Sequence, residues 1–466
     1  MSRGSSRQGC ADFRRSLRLS RRDALCAGGL TGLGLTLPSL FRLRDAAAAE
    51  TGGSFGRAKR VIMFYLHGGH PQQETFDPKP TGPVAVRGEF GAIPTSLPGV
   101  QFSEMLPRSS TIAHKLAIVR SMSHDTASHV TASLPANTGH RHPPNVPKRD
   151  FPPSANDFPP FGAVLDAHRP SSGTLPTWVR IGPLMRRSNG TVLHGQLPGF
   201  LGRKHESFVV DQDLRSKDVQ VEAVRPNDDL TKLRLNGRHD LLKEIDLQRR
   251  MIDQSPEARD LDDFYQRAFS LLSSTETRKA FDLASEPTVA RDSYGRSAFG
   301  QRCVLARRLA ESGVPMVNVS YCHTPSGSWD THSSNFKKMK NSLGPDLDLA
   351  LSALVNDLDE RGMLDDTLVV VNAEFGRTPK INSRAGRDHW PWVYSLAFAG
   401  AGIQPGTIHG ASDASAAYPT ENPHSPQDVA ATIYHLLGID SETMIYDKLE
   451  RPHRLIAGKP IEAILV

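Results

Sequence analysis

Five short stretches of this 466-residue chain are apolar or β-branched nearly throughout and stop abruptly at glycines or charged groups. They are GRAKRVIMFYLHGG (56–69), LAIVRSM (116–122), VPMVNVSY (314–321), TLVVVNAE (367–374) and YSLAFAG (394–400). A strand without polar alternation has to be covered on both faces, which an open antiparallel sheet does not provide. Between and after these runs the apolar period lengthens to that of helices. AFGQRCVLARRLAESG ends on Gly313, LDLALSALVNDLDERG ends on Gly362, and SPQDVAATIYHLLG opens on Ser425 as N-cap and closes on Gly438. Strands alternating with helices and joined by long crossovers predict an α/β fold with a doubly wound, mainly parallel sheet. Residues 139–212, rich in Pro, Gly and His, predict a loop-rich insertion with a few short elements, and 228–312 a mainly helical segment. Both are expected to belong to a single domain over residues 56–466.

The formal net charge of +6 does not mark a nucleic-acid binder. Nine Arg against three Asp in residues 1–49 account for all of it, and the rest of the chain is balanced. The same segment carries Arg21 and Arg22, then a Gly/Leu-rich apolar run, then small residues up to Ala49. That order predicts an export signal of the twin-arginine type, read by the twin-arginine machinery and leading to the periplasm or beyond. The apolar run is too short and too Gly-rich for a stable membrane span once the signal is removed. Cys303 and Cys322 remain beyond the leader, enough for one disulfide or for two buried thiols, and too few for a disulfide scaffold.

In doubly wound sheets ligands bind beyond the carboxyl ends of the strands. Each run here ends in ionisable groups. His67, His70, Glu74 and Asp77 follow the first, Asp125 and His129 the second, Asp330 and His332 the third, and Glu374 and Arg377 the fourth, while Asp388 and His389 precede the fifth. A single such His is ordinarily a surface or hydrogen-bonded residue. Acids and imidazoles converging from five loops are the donor types of a divalent metal site for zinc, manganese or calcium. Arg377 has the planar fork that holds a phosphate or sulfate, and equally that of a structural ion pair.

LHGGHPQQETFDPKP, SWDTHSSNF, EFGRTPKIN and GRDHW, together with the leader, resemble the family catalogued as domain of unknown function 1501, exported bacterial proteins of the sulfatase-like branch of the alkaline phosphatase superfamily. The resemblance implies a metal set. Glu74 or Asp77 matches the first-strand acid, Asp330 and His332 the middle pair, Glu374 the start of the DH motif with Phe375 in place of its His, and His389, beside Asp388, the final His. SHVTASLPANTG resembles the segment bearing the sulfatase nucleophile, with His129 at the nucleophile's position and hydroxyls nearby on Ser128 and Thr131. The implied activity is hydrolysis of phosphate or sulfate esters, on small molecules or polysaccharide, through a metal-bound water or an atypical nucleophile. The missing nucleophile leaves the alternative of an inactive binding or surface protein with a structural metal.

Overall fold

The computed structural model describes residues 53–142, 150–224, 270–322 and 328–466. Residues 1–49, where an export signal was expected, and most of the helical pattern from 228 onward lie outside the described residues. Eight strands form the central sheet: β1 (Arg60–Tyr65), β2 (Leu116–Met122), β3 (Trp178–Ile181), β4 (Phe208–Val210), β5 (Met316–Ser320), β6 (Thr367–Asn372), β7 (Tyr394–Ala399) and β8 (Thr407–His409). Their order is β8-β2-β7-β6-β1-β5-β3-β4. All neighbours run parallel except at β7, which is antiparallel to both β2 and β6. The sheet is thus the mainly parallel one expected from the apolar runs. Strands β3 and β4 come from the Pro- and Gly-rich stretch before residue 212, as short elements whose pattern is too brief to register in sequence.

The unbroken apolar runs follow from burial on both sides. Ile62, Phe64, Val317 and Val371 face a core that includes Phe299, Leu305 and Leu351. Val61, Met63 and Val370 face a second core with Phe161, Val429 and Ile433. Burying each such side chain contributes about 1.5–3 kcal/mol, so a polar residue at either parity of β1 or β6 is disfavoured. The helices that cover the first face are α3 (Ala298–Glu311) and α4 (Gly344–Glu360), and those on the second are α2 (Phe161–His168) and α5 (Pro426–Leu436). Their ends are specified locally. The Ser297 hydroxyl accepts from the Gly300 N–H at 3.1 Å at the start of α3, and the Ser425 N–H donates to Asp428 Oδ2 at 2.9 Å at the start of α5.

Helix α1 (His129–Thr138) begins at His129 and ends on Gly139 in the left-handed conformation. Cys303 and Cys322 are buried and form no disulfide among the described residues. Among the described residues, no helix is long and apolar enough to cross a membrane.

Candidate metal centre

Strands β6, β1 and β5 are adjacent, so the segments that leave their carboxyl ends are neighbours in space. The turn after β1 carries His67, Gly68 and Gly69. The segment after β5 brings in Asp330, whose approach is fixed by a Trp329 N–H to His67 O bond of 3.0 Å. Glu374 stands two residues beyond β6. His389 comes from a two-residue ladder, Gly376–Arg377 against His389–Trp390, and His129 from the first residue of α1.

Gly68 makes this convergence possible. Its φ is +112°, and a Cβ there would lie 2.2 Å from the Asp330 nitrogen. Only a residue without a side chain lets the two main chains approach so closely. The same Gly68 N–H donates to Glu374 Oε1 at 2.8 Å.

Around Asp330 Oδ1 three imidazoles converge by the same atom. His332 Nε2 is at 3.0 Å, His129 Nε2 at 3.2 Å and His389 Nε2 at 3.2 Å. Each ring is tied at its other nitrogen to an oxygen acceptor. His129 Nδ1 lies 2.6 Å from Glu374 Oε1, His332 Nδ1 2.5 Å from Asp388 Oδ1, and His389 Nδ1 2.6 Å from the Ala127 carbonyl. A carbonyl or carboxylate oxygen accepts, so the oxygens behind the rings take a proton from each Nδ1, and each Nε2 donates to Asp330 Oδ1 when protonated and offers its lone pair to a cation when it is not. His129, Asp330 and His389 offer ligand atoms that all lie within 4.8 Å of one another. His332 stands beside them, its Nε2 2.9 Å from that of His389.

The electrostatics agree with a site built for positive charge. Burial pushes the Asp330 carboxyl up, but hydrogen bonds from His129, His332 and His389 and the nearby Arg377 overcome it and hold the group far below the usual carboxylate range. Burial likewise raises Glu374, and His129 reverses the shift. His129 is pulled down by burial and more strongly up by Asp330 and Glu374, between which it is held. His389 is lowered by burial to about 4, so it is neutral and available as a donor at neutral pH. Glu374 Oε2 and His67 Nε2 are enclosed and reach no hydrogen-bond partner, as buried polar atoms do where an ion is missing from their surroundings. The nitrogen and carboxylate donors present therefore fit a divalent ion.

Of the residues singled out from sequence, His129, Asp330, His332, Glu374 and His389 meet at this point, and Asp388 reaches it only through His332. Glu74, Asp77 and Arg377 are placed otherwise, Asp77 being buried and paired with Lys79 at 3.0 Å. Glu74 is fully buried with both oxygens engaged, taking Arg387 Nε at 3.0 and 2.9 Å and Asn335 Nδ2 at 3.3 Å. Its carboxylate neutralises a buried guanidinium instead of joining the cluster. Arg377 is also fully buried. Its donors go to the carbonyls of Gly68, Gly69 and Arg387 and to Asp330 Oδ1 at 2.7 Å, so its fork is spent inside the protein and is not offered to an ester.

Phe375, which stands where the superfamily pattern has a His, packs its ring 4.9 Å from that of His129 and 4.7 Å from that of His389. The sequence reading named His67 among the groups after the first strand but gave it no place in the metal set, and it passed over Gly68. The Gly-Gly closing the first strand was the available signal, since it marks a main chain that must be approached closely.

Among solved structures the chain is similar to a protein of the alkaline phosphatase superfamily from Vibrio parahaemolyticus, at 11% identity and a TM-score of 0.40, over 84% of this chain and 69% of that one. It is also similar to the PsFucS1 sulfatase from Pseudoalteromonas sp., at 12% identity and 0.36, over 88% and 73%. A third is the phosphonate monoester hydrolase from Silicibacter pomeroyi, at 15% identity and 0.34, over 87% and 76%. No curated protein matches. The model of one family, described as "Protein of unknown function (DUF1501)", matches residues 58–465. With that match spanning most of the 466 residues, the chain belongs to the DUF1501 family.

Proposed function

We propose that this protein is an exported, metal-dependent hydrolase of phosphate or sulfate esters. The observation that carries the reading is the shared orientation of His129, His332 and His389, each with Nδ1 tied to an oxygen and Nε2 turned toward Asp330 Oδ1. Imidazoles that ligate metals are oriented in this way by acceptors behind them.

His129, His389 and Asp330 would hold the ion, with His332 and the free Oε2 of Glu374 at its margin. The imidazole-rich set suits zinc or manganese better than calcium, which prefers a shell of oxygens. A bound divalent ion supplies positive charge for an ester oxygen and acidifies water near neutral pH. The chain's own groups prepare the place. Glu374 fixes the tautomer of His129, Asp388 that of His332, and the Ala127 carbonyl that of His389. Phe375 walls the imidazoles on one side. Arg377 keeps Asp330 ionised and in place.

The proposal is tested on protein purified without chelator by metal analysis, followed by a panel of phosphate and sulfate esters with His129→Ala in parallel. Bound zinc or manganese near stoichiometry and ester turnover in the wild type support it. Loss of metal in His129→Ala identifies a ligand, and loss of turnover with metal retained identifies a nucleophile or general base. A protein that binds metal yet turns over no ester belongs to the alternative, a binding or surface protein with a structural ion.

A further inference from the structure

A second polar feature shares no residue with this cluster. Arg180, the third residue of β3, is 8% exposed, and its Nε and Nη1 are enclosed and reach no acceptor. The other buried arginines among the described residues are compensated. Arg307 pairs with Glu286, Glu311 and Asp357, Arg387 with Glu74, and Arg291 donates to the carbonyls of Leu214, Ser216 and Lys217. Arg180 has no such partner among the described residues. Asp211 and Glu206, the acids whose field reaches it, are exposed and form no ion pair with it. A guanidinium does not deprotonate, so its charge persists, and an uncompensated buried charge is strongly destabilising.

The side chain borders a recess of about 20 Å³, lined also by Met63, Tyr65, Trp178, Asn318 and Ser320, in which Arg180 is the sole charged residue among those described. The sheet register explains the grouping. Arg180 is aligned with Asn318, and Asn318 with Met63, so the three side chains leave the same face in a row. The Trp178 indole N–H donates to Asn318 Oδ1 at 2.7 Å, which leaves the NH2 end of that amide free to donate in turn. The recess therefore combines a cation, an amide donor and a hydroxyl with no acid among them.

We propose that Arg180, Asn318 and Ser320 bind one chloride-sized monovalent anion in this recess. The volume admits one or two water-sized spheres of about 10–15 Å³ each, too little for a tetrahedral phosphate or sulfate. The site is thus distinct in chemistry, as well as in residues, from one that would take an ester.

The test compares thermal unfolding in sodium chloride and in sodium gluconate at equal ionic strength, for the wild type and Arg180→Gln, together with chlorine-35 NMR line widths of added chloride. Chloride should raise the wild-type midpoint by about 1–3 °C over gluconate and saturate with concentration. Arg180→Gln should lose that difference, and the wild type should broaden the chlorine line in a manner reversed by bromide and not by gluconate. If Arg180→Gln fails to fold, the wild-type line width and its bromide competition decide. Equal midpoints in both salts, a chloride effect that persists in Arg180→Gln, or broadening insensitive to bromide would each overturn the proposal.

Discussion

Glu374 Oε1 lies 2.6 Å from His129 Nδ1, and both side chains are buried, the carboxylate completely. The contact joins the end of β6 to the start of α1 across 245 residues. It determines which nitrogen of His129 is turned toward Asp330. Replacing Glu374 by Gln keeps the size but lets the amide present either a donor or an acceptor, so the tautomer is no longer imposed. We expect Glu374→Gln to weaken metal binding about 10–100-fold, as loss of such supporting contacts does. Competition against a chromogenic chelator measures it, and unchanged affinity would remove Glu374 from the site.

Glu74 and Arg377 should behave as parts of the fold. Breaking a buried ion pair by removing one partner costs about 3–5 kcal/mol. Glu74→Gln, which strands Arg387, should lower the unfolding midpoint by several degrees and leave metal content per folded molecule unchanged. Arg377→Met should destabilise comparably, since it strands three carbonyls, and should also disturb Asp330. A Glu74→Gln protein of normal stability that had lost its metal would restore Glu74 as a ligand.

How much of this was legible beforehand differs residue by residue. Val369 to Val371 declared a strand buried on both faces because nothing polar interrupts them, and Glu374 declared a rim position because an acid follows so closely. His129 was picked out at the nucleophile's position only because SHVTASLPANTG resembles the segment bearing the sulfatase nucleophile. Glu74 misled for a physical reason. An acid after the first strand has the same local appearance whether it faces a metal or an arginine, and its partner Arg387 lies 313 residues away. Arg377 misled similarly, because the carbonyls that consume its donors leave no mark in side-chain chemistry. Strands β3 and β4, at four and three residues, were too short for a period to show among prolines and glycines.

Stability should fall on mild acidification. Burial lowers His67, His70 and His124 to about 4 each. Between the unfolded value near 6.5 and that folded value, the unfolded chain binds more protons, so stability rises with pH and is lost as pH falls through this window. Each such His withdraws about 2 kcal/mol between pH 6.5 and 5. His129 and His332, whose values are raised, act in the opposite sense, with stability present below their unfolded value and lost as pH rises through the folded one. His70→Gln isolates the first effect. Its midpoint should decline less steeply from pH 7 to pH 5 than the wild type's, and parallel slopes would contradict the assignment.

Export can be checked without any knowledge of the activity. Changing Arg21 and Arg22 together to Lys should leave precursor in the cytoplasm, followed by immunoblot of fractionated cells. Equal export of the double variant would point to a different route.

The contact between the Gly68 main chain and the Asp330 nitrogen sets a rule for anyone redesigning this protein. Because a single methyl group at residue 68 has nowhere to go, the cluster cannot be widened by small steps that begin there. Its selectivity has to be altered through other supports of the histidines, such as Asn382, whose Nδ2 donates to the His332 carbonyl at 3.0 Å. The glycine works as a keystone: removing its emptiness, by filling it, is what would bring the arch down.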